Sequence, residues 1–106
     1  MTKYLFTGTY SVDGAKGLVK DGGTKRRAVI EKMVGELGGT VEAFYFAFGE
    51  HDVFVIVDLP DNETAAAIAL TVAASGSVGI DTTVLLTPEE VDASGKKSVS
   101  YKPPGS

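Results

Sequence analysis

Two neighbouring runs, residues 40–48 (TVEAFYFAF) and 51–59 (HDVFVIVDL), are apolar on both of their alternating sides. Successive side chains of an extended strand point to opposite faces, so a strand with one wet face alternates apolar and polar residues. Here one face of the first run offers Val41, Ala43, Tyr45 and Ala47, and the other offers Phe44, Phe46 and Phe48 with Glu42. The second run sets Val53, Val55 and Val57 against Phe54 and Ile56. Both faces want burial, and helices from so short a chain cover only one. The other face is expected to meet a second copy, most simply in a self-complementary two-fold pair. At roughly 25 cal/mol per Å2, leaving several such aromatics wet forfeits several kcal/mol, comparable to the whole stability of a small domain.

The 106 residues suit one domain. An apolar share of 43% is too high for a disordered chain. No apolar run is long enough to span a membrane, and MTKYLFTGTY has no apolar core behind a basic start. A cytoplasmic protein without a cleavable leader is therefore expected. No Cys and one His give no thiolate chemistry and no multi-His metal site from one chain, so no metal and no cofactor are expected. A net charge of -4 argues against nucleic acid as a partner.

The rest of the chain completes an alternation of strands and helices. Residues 3–10 read as a strand. Gly14, Gly17, Gly22 and Gly23 break up residues 11–23, which read as a loop with a helical turn or two. Thr24 is a helix N-cap, and Val29, Ile30, Met33, Val34 and Leu37 recur at helical spacing until Gly38-Gly39. Gly49-Glu50 fits a two-residue hairpin between the two apolar runs. Asp61 or Asn62 caps an Ala-rich helix that closes at Gly76, and residues 79–86 form a last strand. The order is β-α-β-β-α-β, an α+β, ferredoxin-like antiparallel sheet with both helices on one face. Thr87-Pro88-Glu89-Glu90 reads as a capping box opening a short helix to about residue 94. The domain proper is placed at 1–92. Residues 93–106 are either a solvated tail or an arm packed on a partner subunit, the latter because Tyr101 has little reason to sit in water.

The stretches GAKGLVKDGGTKRR, AFYFAFGEHDVFVIVDLPDN and TTVLLTPEEV resemble the GYD domain family, small bacterial proteins whose function is mostly unassigned. The resemblance covers residues 3–92. It places Gly49, Glu50, His51 and Asp52 at the family's Gly-x-Tyr-Asp signature, with His51 where the Tyr stands. It implies a dimeric α+β barrel, a superfamily that includes cofactor-free monooxygenases, muconolactone isomerase and ligand-binding modules. The fold therefore does not choose a chemistry.

Three groups of residues are candidates for a site. His51 titrates near neutral pH and suits acid–base work, with Asp52 beside it. Adjacent strand residues diverge, so His51 would need a carboxylate from elsewhere, such as Glu42 or Asp81; the plainer reading makes both residues hairpin structure. Lys16 and Lys20, Gly22-Gly23, then Lys25, Arg26 and Arg27 put cations and free N–H groups near a helix start. Three cations in a first turn oppose the helix dipole, and an anionic ligand, a solvated face or a partner's acidic edge would each relieve them. Tyr4, Phe6, Tyr10, Phe44, Tyr45, Phe46, Phe48 and Phe54 line either an aromatic ligand pocket between two sheets or simple core and dimer packing.

The expected function is a homo-oligomer, dimeric or higher, that binds a small acidic or aromatic ligand, with Tyr10, Lys16, Lys25, Arg26, Arg27 and Phe46 in contact. The alternative is a cofactor-free enzyme of monooxygenase or isomerase type. There His51 is acid or base with Asp52 nearby, Tyr45 or Tyr10 orients the substrate, and an Arg of GGTKRR holds a carboxylate.

Overall fold

The computed structural model describes residues 1–106. β1 (Thr2–Tyr10) runs into α1 (Val12–Asp21) and α2 (Gly23–Glu36). Next come β2 (Thr40–Phe46), β3 (Val53–Leu59), α3 (Asn62–Ala74), β4 (Val78–Leu85) and α4 (Pro88–Gly95). The strands form one antiparallel sheet in the order β2-β3-β1-β4, and the fold is α+β.

Directly opposed residues share a face, so the register sorts the strands' side chains. Tyr4, Phe6 and Gly8 stand opposite Val57, Val55 and Val53, and Phe44 and Phe46 stand opposite Val55 and Val53. This face joins Val34 of α2 and Ala65 and Ile68 of α3 in one buried core, in which Tyr4, Val57 and Leu59 are all but sealed. The opposite face carries Leu5, Thr7, Phe54, Ile56, Ala43 and Tyr45. A register shift between Val41 and Ala43 decides the sorting in β2. It moves Val41, opposite Val57, onto the core face beside Phe44, where simple alternation puts it with Tyr45. The aromatic set expected between two sheets is thereby divided: Tyr4, Phe6, Tyr10 and Phe44 pack toward the helices.

Four local expectations need correction. Residues 12–21 are a helix rather than a loop: Ser11 caps it by accepting from the Gly14 N–H, and its side chain and backbone both donate to the Ser77 carbonyl. α2 begins at Gly23, not after a Thr24 cap; Gly22, at φ 86°, joins the two helices with no side-chain cap. Residues 47–52 form a wider connection than a two-residue hairpin, closed by the Ala47 N–H on the Asp52 carbonyl, and Gly49 does not take a positive φ. Val29 and Leu37 lie on the exposed side of α2, at 49% and 41%, so the buried stripe narrows to Ile30, Met33 and Val34.

Helix starts follow the capping chemistry closely. Asp61 accepts from the Thr64 N–H and hydroxyl, and those bonds hold its carboxyl below the ordinary value. Thr87 and Glu90 exchange the two bonds of a capping box. No helix is long and apolar enough to cross a membrane.

Candidate functional site

Between the core face of the sheet and helices α2 and α3 lies a small cavity of about 50 Å3. Phe6, Phe44, Val55, Ile30, Met33, Ile68 and Val72 are among its apolar walls, and Tyr10 and Arg26 are the lining residues able to form strong hydrogen bonds from their side chains. A second space of about 160 Å3 shares Tyr10, Arg26 and Val78 with it, and is otherwise bounded by Gly14, Gly17, Leu18, Asp21 and Ser77. Apolar pit and polar vestibule thus meet at one cation and one phenol.

The cations of the GGTKRR segment separate here. Lys25 approaches Asp21 at 3.7 Å and Arg27 approaches Glu31 at 3.8 Å, each one turn away along the chain. Arg26, half-buried, forms no salt bridge, and neither its guanidinium nor the Tyr10 hydroxyl takes part in any hydrogen bond. A guanidinium has five donors in a planar fork that matches a carboxylate. Its nitrogens are not sealed from solvent, so water serves them at the cavity mouth, where a ligand's carboxylate could take that water's place. Lys16 sits on the exposed side of α1 and does not line either space. Phe46 stands with Phe44, ring centroids 5.3 Å apart, in a separate cleft with Gly23, Thr24 and Arg27.

His51 and Asp52 are placed elsewhere. The His51 ring meets Phe54 edge-on at 6.0 Å, on the side of the sheet away from the helices. Its Nδ1 is buried without a hydrogen-bond partner. Glu42, one of the carboxylates that could have served it, instead pairs with Lys3 at 2.8 Å. Lys3 also reaches Asp58 at 3.0 Å, and these carboxylates, Glu42 foremost, hold its ammonium above the ordinary lysine value. Asp52 accepts from the Tyr10 N–H at 2.8 Å, while its own N–H donates to the Gly8 carbonyl at 2.8 Å. It straps the β2–β3 connection to the end of β1 and so positions Tyr10 at the cavity. Asp52→Ala is expected to lower stability by about 1–2 kcal/mol, read by chemical denaturation, because the Tyr10 N–H loses a charged acceptor.

Tyr10 and Tyr45 are on opposite faces: Tyr10 opposes Val78 at the cavity, and Tyr45, 70% exposed, opposes Phe54. The structure therefore brings together Tyr10 and Arg26, and separately His51, Phe54 and the face carrying Tyr45. The vestibule floor was missed in sequence because it needs α1 to be a helix; Ser11, three residues before Gly14, was the capping signal for it. No cluster of three or more His, Cys, Asp or Glu side chains able to hold a metal is present.

A family model described as the GYD domain matches residues 4–94. No curated protein and no solved structure matches the chain.

Proposed function

The chain belongs to the GYD domain family, and we propose that it is a self-associating binding module for a small apolar monocarboxylate. The observation that carries this is Arg26, the unpaired guanidinium at the mouth of an apolar pit. A carboxylate on Arg26 would take the guanidinium's fork and the Tyr10 hydroxyl would donate a further bond; the pit of about 50 Å3 admits only the leading carbons of an aliphatic or aromatic body, between Ile30, Val72 and Phe44, and the rest would lie in the vestibule. Asp21, on the vestibule wall and only loosely held by Lys25, repels a second carboxylate. Monoacids are thus favoured over diacids. Titration with benzoate and hexanoate, each beside its neutral amide, tests the proposal. Saturable binding of an acid and none of its amide is expected; acid and amide binding alike would reject the role of the cation.

The sheet order and the uncovered face favour a ferredoxin-like subunit whose open sheet meets that of a second copy, as in a dimeric α+β barrel. Leu5, Phe54, Ile56 and Tyr45 would form the apolar centre of the contact, with Lys3, Glu42 and Asp58 at its rim. The unpartnered Nδ1 of His51 lies beside this face, which makes it an interface group in preference to the acid or base of a reaction in the cavity. Phe54→Asp is expected to weaken self-association by at least about a hundredfold, read by light scattering over a dilution series, since a charge would be buried unpaired.

A further inference from the structure

β4 is a sheet edge that lacks most of what keeps an edge from pairing. The strand order ends on it, so its only hydrogen-bonded neighbour is β1. Its register with β1 runs unbroken from Val78 to Leu85. It contains no Pro and no Lys, and its one charged residue is Asp81. Edges are normally blunted by charge, Pro, a bulge or a covering element. The other edge, β2, is protected by its bulge at Val41/Ala43 and by the Lys3–Glu42 pair.

The C-terminal segment has the complementary deficiency: it patterns as a strand and has no sheet. In residues 97–102 Val99 and Tyr101 alternate with Ser98 and Ser100, the period of a half-buried strand. Val99 is 79% exposed and Tyr101 72%. The backbone bonds beyond α4 are local, Lys97 to Ser94 and Ser106 to Pro103. α4 carries this segment away from the body: the radius of gyration is 16.9 Å and the long axis 57 Å, against about 13 Å expected for the radius of a compact chain of this length. Charge points the same way. Lys96, Lys97 and Lys102 stand in a stretch with no acid, whereas all 14 Asp and Glu precede it.

We infer that residues 97–102 of one copy add as an extra strand to the free edge of β4 in a second copy. The basic arm then lies on an acidic body. Val99 and Tyr101 cover the side of β4 that carries Val84, itself 52% exposed. Pro103, which has no N–H, ends the added strand. Exchange of arms between two copies closes both edges at once. The inference rests on the self-association proposed above, but not on which face mediates it.

Hydrogen–deuterium exchange on the full chain, with mass followed by light scattering over the same concentrations, tests it. The expected result is slow exchange of alternate amides within Ser98–Tyr101, those that face β4, in the associated state, lost on dilution to monomer. Val99→Pro, which keeps the arm's length and charge, is expected to abolish that protection and weaken association about tenfold. Protection of the β1 and β3 amides shows that the variant is folded. Fast arm exchange in an associated chain overturns the inference and leaves self-association standing. Arm protection that persists in the monomer also overturns it, since the arm then covers its own edge. A chain that stays monomeric at every concentration overturns both.

Discussion

Gly14→Ala is expected to lower the unfolding free energy by about 3 kcal/mol, and Gly17→Ala, on the same helix, to raise it by about 0.5–1 kcal/mol. The opposite signs come from what each new methyl meets. At Gly14 a Cβ would collide with the Ser77 carbonyl oxygen and lie 3.1 Å from the Tyr10 ring. That carbonyl already accepts from the Ser11 N–H and hydroxyl at the start of α1. The methyl must therefore push α1 off Ser77, just before β4, and break its anchoring bonds. At Gly17 nothing lies within 4 Å, and only the helix-propensity gain of Ala over Gly remains. Chemical denaturation of the two variants reads both signs. Equal effects would mean that α1 does not pack on Ser77.

Arg26→Leu is expected to abolish carboxylate binding, by at least about a hundredfold in Kd, while making the unliganded protein more stable by about 1 kcal/mol. The gain has two sources. A guanidinium whose nitrogens reach solvent gives way to an apolar side chain that adds burial against Ile30, Val72 and Val78. One of three cations is also removed from the first turn of α2, where the helix dipole opposes it. A residue whose removal stabilises the fold and eliminates binding is retained for the ligand. Lys25→Leu and Arg27→Leu serve as controls: each removes a cation from the same turn but leaves the cavity mouth intact, so acid binding is expected to persist. If Arg26→Leu destabilises the unliganded chain, the guanidinium is structural.

The strands, the Ala-rich helix and two of the three side-chain caps were legible because their signals are local: short runs of β-branched and aromatic residues, Asp61 before an apolar run, Thr87 and Glu90 at capping-box spacing. What was not legible depends on contacts between distant residues. α1 looked like a loop because glycine is a poor helix former; it is a helix because Gly14 lets its backbone approach Ser77 from 63 positions away in sequence, an approach closed to any larger residue. The face on which Val41 lies could not be read from alternation, since a bulge resets the count. The site was half legible. The cation cluster and Tyr10 stood out, but their sequence treats Lys25, Arg26 and Arg27 alike. Only the structure pairs Lys25 with Asp21 across the α1–α2 junction and Arg27 with Glu31 along α2, and turns the third toward the cavity.

The central claim is that Arg26 receives a carboxylate at the mouth of an apolar pit, and the Arg26 Nε–Hε resonance reports on it most directly. During titration with benzoate or hexanoate, that signal is expected to shift saturably together with the methyl groups of Ile30 and Val72, and the neutral amides are expected to leave all of them unmoved. A titration in which Lys25 and Arg27 respond while Arg26 and the cavity methyls stay fixed would contradict it, because the acid would then be meeting only a solvated basic face.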